Sequence, residues 1–219
     1  KERLFVTGCE GLSRIIGANR DLTLSKAGLP IDKSVVLLAT SPVKLEDRIE
    51  YTSAFCDVMS KLSKITSIVR LHIAEKVAEY HEVVNTYPNV SFLTNNSMSR
   101  DDALTAADIV VVHESSFGID ALLRGGIVVV FDVLKNKSST PLIIGKEMIG
   151  MAGCPVAKSV DELAEIIFQI FSDDNFRNEL HIKAEKYALQ YCDSYGQDAA
   201  KNVCRVIDNA IESRKEYVA

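Results

Sequence analysis

A doubly wound parallel α/β sheet is the fold this sequence predicts, and three observations predict it. Short uninterrupted apolar runs rich in β-branched residues recur along the chain, the kind buried on both faces of a parallel sheet. Segments with helical spacing separate them, and strand alternating with helix builds parallel βαβ units. One complete unit stands between Ala107 and Asp132: apolar Ile109 to Val112, a polar turn His113-Glu114-Ser115-Ser116, a helix from about Phe117 to Arg124, Gly125-Gly126, and a second apolar run, Ile127 to Phe131.

Taken in order, Arg3 to Thr7 is a short apolar run ended by Gly8. Asn19 is placed to cap a helix over roughly Asp21 to Ala27, with Gly28 as its stop and Pro30 beyond. Ser34 to Ala39 is a buried strand by composition, opening into Thr40-Ser41-Pro42. The next helix runs from about Leu45 to Leu62, with Ile49, Phe55, Met59 and Leu62 near helical spacing. Ile65 to Leu71 is a strand that delivers Arg70 and then His72 to its carboxyl end. A helix from about Ala74 to Tyr87 stops before Pro88. Val90 to Leu93 is a short strand, Thr94 to Met98 a polar loop, and Ser99 with Asp102 starts a helix over Arg100 to Ala107.

Past Phe131, residues 132 to 147 read as a long polar loop carrying Lys135 and Lys137, suited to closing over a ligand. Cys154 to Ala157 is a brief last strand. Ser159 with Glu162 caps a helix to about Phe171, and two more helices follow within 174–219. The chain is expected to form one domain over residues 1–219, with 1–18 an interdomain strand or linker. It starts at Lys1 within what reads as a strand, so a piece of a longer protein is expected.

The bulk properties exclude several classes. A formal charge of −5 with no basic block argues against a nucleic-acid binder, which needs a clustered positive face. Five cysteines without a CxxC pair read as reduced thiols and not as a disulfide frame or zinc site, and the expected location is cytoplasmic. No DxD-like or His-rich cluster appears, and no metal is expected.

Candidate site residues cluster at the predicted carboxyl ends of strands, where open α/β sheets bind ligands. Ser115 and Ser116, with the amides of Phe117 and Gly118, suit a phosphate at a helix N-terminus; one serine acting as a plain N-cap is the alternative. Asp120 suits a cis-diol, or is simply a solvated helix residue. Arg70 and His72 alternate along a strand and share a face, ready for an anion; an ion pair of Arg70 with Glu75 or Asp108 is the competing reading. His113 is either a ligand contact or a satisfied structural histidine. Thr40, Ser41 and Lys44 follow another strand end, where a capped turn is equally consistent.

Arg70-Leu71-His72, Pro88-Asn89-Val90, Ala107-Asp108, Ser115 to Leu122 and Gly126-Ile127-Val128-Val129 together resemble the nucleotide-donor-binding C-terminal half of GT-B glycosyltransferases, Rossmann-like with extra C-terminal helices. The subgroups it looks similar to are CDP-glycerol glycerophosphotransferases, bacterial polysaccharide glycosyltransferases and UDP-N-acetylglucosamine 2-epimerases. The resemblance implies donor phosphates on Ser115, Ser116, Phe117 and Gly118, ribose on Asp120 and the nucleobase at the Thr94 backbone. Read from their places at strand ends, His113 and Ser41 are further donor-phosphate candidates, and Arg70 and His72 the catalytic candidates. Two departures stand out: Ile73 follows His72 where the family often has Pro, and Asp120 replaces a common Glu.

The function implied is nucleotide-donor binding in transfer of a sugar or polyol phosphate to a cell-surface polysaccharide-type acceptor. The donor, a nucleotide-sugar or CDP-polyol, is substrate, and no cofactor is expected. The N-terminal acceptor domain and the general base would lie outside this chain, as would any contact with the inner face of the membrane, and a homo-oligomer stays open. A nucleotide-sugar 2-epimerase and a non-catalytic nucleotide-binding or assembly module are the alternatives.

Overall fold

The computed structural model describes Phe5, Thr7, Gly8 and residues 19–113, 115–134, 152–191 and 196–215. Among them, six strands form one parallel sheet in the order β3-β2-β1-β4-β5-β6. They are β1 (Ser34–Ala39), β2 (Ile65–Arg70), β3 (Val90–Leu93), β4 (Ile109–Val112), β5 (Ile127–Phe131) and β6 (Val156–Ala157). The helices are α1 (Arg20–Lys26), α2 (Leu45–Ser60), α3 (His81–Thr86), α4 (Arg100–Ala106), α5 (Ser116–Leu123), α6 (Val160–Ser172), α7 (Asp174–Tyr191) and α8 (Gly196–Lys215), with a 3-10 turn at Val77–Tyr80 before α3. The chain winds outward from β1 through β2 to β3, then returns to β4 on the other side of β1. The order therefore reverses between β1 and β4, where such sheets open a crevice for ligands.

Alternation along each strand divides the core in two. Val36, Leu38, Val69, Val111 and Val129 face one layer, packed by Tyr51 and Phe55 of α2, Val83 of α3 and Leu163 and Ile167 of α6. Val35, Leu37, Ile68, Val110 and Val128 face the other, packed by Leu24 of α1, Ala103 of α4, Phe117 and Ala121 of α5 and Ala184 of α7. Both faces of the central strands are covered, which is why those strands read as unbroken apolar runs.

Local signals hold in most places. The Asn19 side chain accepts from the Leu22 amide at 3.0 Å, Ser99 Oγ from Asp102 N at 3.1 Å and Ser159 Oγ from Glu162 N at 3.1 Å, so all three predicted caps are made. Helix α5 ends in a Schellman turn: Gly125 N donates to Leu122 O, Gly126 N donates to Ala121 O at 2.8 Å, and Gly125 takes φ +74. A Cβ at Gly126 would stand 2.9 Å from the Ala121 carbonyl oxygen, so the Gly-Gly pair is required by this tight return to β5.

Three expectations shift. The helix expected from Ala74 to Tyr87 begins late, because the backbone is extended at Lys76 and Glu75 turns inward, so only the 3-10 turn and α3 form. The last strand shortens to Val156–Ala157, since Pro155 has no N–H for the ladder and contributes only its carbonyl, to Val130 N. Asp108 is occupied at the far end of the sheet from the crevice: its Oδ2 accepts from Val35 N at 2.7 Å and pairs with Arg20 at 3.0 Å. The expected linker 1–18, apart from Phe5, Thr7 and Gly8, lies outside the described residues, as do Glu114, Lys135 and Lys137.

Buried acids give the fold an alkaline limit. Burial, with the Glu75 carboxylate adding to it, pushes the Tyr51 and Tyr80 phenols well above their ordinary 10.0. Burial raises the Cys56 and Cys154 thiols from 9.0 to about 12. All four are held neutral in the fold, so their contribution is complete below the unfolded values. It is lost as pH rises past about 9 and then 10, because the unfolded chain ionises first. The urea midpoint should stay level up to about pH 8.5 and fall steadily above it, with a shallower fall in Tyr51→Phe; a midpoint unchanged at about pH 11 would refute this.

Candidate functional site: an anion cleft at the sheet's crossover

One rung of the sheet fixes the site. Leu93, Arg70, Ala39, Val112 and Val130 stand side by side in register across β3, β2, β1, β4 and β5, so the following residues all emerge at the carboxyl edge. There, Ala39, Thr40, Arg70, His72, Ile73, Asn95, Arg100, Ser115, Ser116 and Phe117 line a cleft of about 220 Å³.

Arg70 is the residue that gives this cleft its character. It is 8% exposed, its Nη2 donates to Asn95 Oδ1 at 2.6 Å, and its guanidinium lies 5.2 Å from the Phe117 ring centroid. Among the described residues no carboxylate comes within ion-pair distance of it. Both acids that sequence reasoning offered as partners are engaged elsewhere: Asp108 with Arg20, and Glu75 with Arg48. Burial, and then the neighbouring Arg100, push the Arg70 pKa down, although a guanidinium stays charged at any physiological pH. A buried cation without an acid is costly, and an incoming anion would relieve that cost.

The edge is braced from below. Thr40 Oγ1 donates to Glu75 Oε2 at 2.6 Å and accepts from the His72 amide at 2.8 Å, tying the ends of β1 and β2 together. Glu75 Oε2 also accepts from Tyr80 Oη at 2.8 Å, and Arg48 bridges Glu75 and Glu79 at 3.5 and 3.1 Å. His72 thus sits in the cleft wall on a fixed backbone. Its Nδ1 accepts from Ala74 N at 3.2 Å, so a neutral ring carries its proton on Nε2, a donor suited to an anion.

The serine turn divides its labour. Ser115 is the N-cap: its Oγ accepts from Phe117 N at 3.3 Å and its carbonyl from Gly118 N at 3.1 Å. The Phe117 and Gly118 amides, expected to hold phosphate, are thereby turned onto Ser115, because a helix start satisfies its own orphan donors wherever a cap allows. Ser116 is exposed in the cleft at the first helical position, its hydroxyl without a hydrogen bond to the described residues, and it brings that hydroxyl and the positive end of α5.

Other expected site residues are placed differently. His113 is buried outside the cleft lining, stacked on Tyr51 at 5.5 Å, with Nδ1 3.0 Å from the Phe131 carbonyl. That oxygen only accepts, so Nδ1 carries the proton and the ring has a structural anchor. Ser41 is fully buried; its amide donates to Tyr51 Oη and its carbonyl accepts from Val43 N. The Thr94 carbonyl already accepts from the Ser97 and Met98 amides, which leaves its N–H for any base. Asp120 is ion-paired with Arg100 across α4 and α5. Arg100 and Asn95 were not anticipated from sequence, although both follow β3 and so had to fall near the same edge.

The class of fold follows from this topology: a Rossmann-like, doubly wound parallel sheet whose cleft opens at the β1/β4 crossover. The structure resembles the wall teichoic acid polymerase TagF, seen in one crystal soaked with CDPG, with a TM-score of 0.59 at 16% identity. That match covers 90% of this chain and 47% of TagF. A protein from Listeria monocytogenes assigned as a UDP-N-acetylglucosamine 2-epimerase gives 0.60 at 14% identity, covering 95% of this chain and 54% of its own. The C-terminal domain of the group 1 glycosyl transferase LpcC from Francisella tularensis gives 0.51 at 17% identity, covering 80% and 93%. The chain therefore spans about half the length of TagF and of the Listeria protein. No protein-family model and no curated protein sequence matches it.

Proposed function

We propose that this chain binds the nucleotide-activated donor of a GT-B transferase that moves a sugar or polyol phosphate to a cell-surface polysaccharide-type acceptor. The observation that carries this reading is Arg70: a buried guanidinium with no carboxylate among the described residues, at the crossover of the sheet and beside the start of α5. Arg70, the His72 ring and the Ser116 end of α5 would stabilise the leaving nucleotide as charge grows on its phosphate, by preorganised electrostatics. The likeness to TagF and LpcC supports it at the level of fold.

The acceptor domain and the general base belong, in this reading, to a part of the protein beyond these 219 residues. The donor is substrate, and no cofactor enters. Among the described residues no helix is long and apolar enough to cross a membrane, and the proposed place of work is the cytoplasmic side, peripheral to the membrane if it touches one. The likeness to the Listeria protein keeps a second reading, a nucleotide-sugar 2-epimerase, on the same donor cleft.

A thermal-shift series with UDP, CDP, CMP and GDP tests the proposal. One nucleotide at about 100 times its Kd should stabilise the chain by about 2.7 kcal/mol and raise its midpoint by several degrees. Equal midpoints with all four at millimolar concentration would count against donor binding.

A further inference from the structure

We infer that Arg100 is the second anion ligand of the cleft, that Asp120 is its resting counter-ion, and that the site takes a diphosphate by exchanging it for the Asp120 carboxylate. This inference rests on the reading of the cleft as an anion site.

The two guanidiniums differ in kind. Arg70 is 8% exposed and is fixed by Asn95 and the Phe117 ring. Arg100, at the first position of α4, lines the same cleft with its side chain 49% exposed, and is held by Asp120, whose side chain is 25% exposed. Only the Arg100 side of this pair is open to water, since the paired Asp120 Oδ2 is itself buried, so it is the cation and not the carboxylate that can turn toward an incoming anion. Among the described residues Asp120 is the carboxylate that pairs with Arg100, and none pairs with Arg70. A single phosphate offers one charged group to two guanidiniums that line the same cleft. A diphosphate presents oxygens to both, each suited to the guanidinium fork, and is the ligand that profits from turning Arg100 inward. The exchange leaves the Asp120 carboxylate, behind Arg100, without its cation and ready to accept from hydroxyls on whatever the diphosphate carries.

Two opposite effects of one substitution follow. In calorimetric titrations of the full chain, Asp120→Asn should tighten inorganic pyrophosphate roughly 3- to 10-fold by removing the competitor for Arg100. It should tighten UDP and CDP by less, or weaken them, because their hydroxyls lose an acceptor. Arg100→Gln should weaken pyrophosphate about 10-fold while leaving inorganic phosphate nearly unchanged. Pyrophosphate affinity that is unchanged or lower in Asp120→Asn overturns the exchange. Undiminished pyrophosphate binding in Arg70→Met, or none in the unsubstituted chain, overturns the anion-cleft reading and the exchange with it. Thermal midpoints of each variant show that the near-isosteric changes leave the fold intact.

Discussion

Arg70→Met is expected to lower the affinity for the preferred nucleoside diphosphate roughly 100-fold, about 2.7 kcal/mol, without lowering stability. The two halves of this result have one cause. Arg70 is buried at the end of β2 with an amide oxygen and an aromatic face for company, and no acid among the described residues. Burying a cation there works against folding, and an apolar side chain of similar length would keep the Phe117 contact while removing that opposition. Stability should therefore stay level or rise by about 1 kcal/mol, the trade expected where a site is built for a ligand and not for the fold. Urea unfolding and calorimetric titration of the same preparation give both numbers. A large loss of stability with affinity retained would mean that Arg70 is a structural residue.

Glu75→Ala should show the reverse pattern, a loss of about 3–5 kcal/mol in stability. The Glu75 side chain is 1% exposed and accepts from Thr40 and Tyr80 while pairing with Arg48. Truncation strands the buried Tyr80 hydroxyl, leaves Thr40 only the longer bond to the Arg70 carbonyl at 3.3 Å, and leaves Arg48 with Glu79 among the described carboxylates. Against a total stability of about 5–15 kcal/mol, that is enough to make the chain marginal. Glu75→Gln keeps an acceptor oxygen and should cost about 1–2 kcal/mol. Because Thr40 also holds the His72 amide, nucleotide binding should weaken in the Gln variant as the cleft wall loosens. A urea midpoint for Glu75→Ala near that of the unsubstituted chain would show that the network contributes little.

Much of the architecture was readable in the sequence because parallel-sheet strands and helix caps are local signals. Ile109–Val112 and Ile127–Phe131 are apolar throughout because both their faces are covered, and Asn19, Ser99 and Ser159 cap where their spacing indicates. The carboxyl-edge rule then led to Arg70, His72 and Ser116, which do share a cleft. What escaped was pairing across elements. Sequence cannot show that Asp108 reaches back to Val35 and Arg20 at the opposite edge, that Glu75 turns inward to Thr40, or that Asp120 meets Arg100. For His113, which the sequence leaves between a ligand contact and a structural histidine, the Phe131 carbonyl of the neighbouring strand and the Tyr51 ring select the structural role. Ser115 and Ser116 are adjacent, alike in sequence and both in the cleft wall, and only the helix geometry ties the Ser115 hydroxyl up in capping while leaving that of Ser116 exposed.

The proposed function puts a nucleotide's phosphates on Arg70 at the β1/β4 crossover. A crystal of this chain soaked with UDP or CDP tests it most directly. Phosphate oxygens should lie within about 3 Å of the Arg70 guanidinium and close to Ser116, with Arg100 turned toward them. A nucleotide bound elsewhere on the molecule, or a cleft still empty at saturating nucleotide, would contradict it.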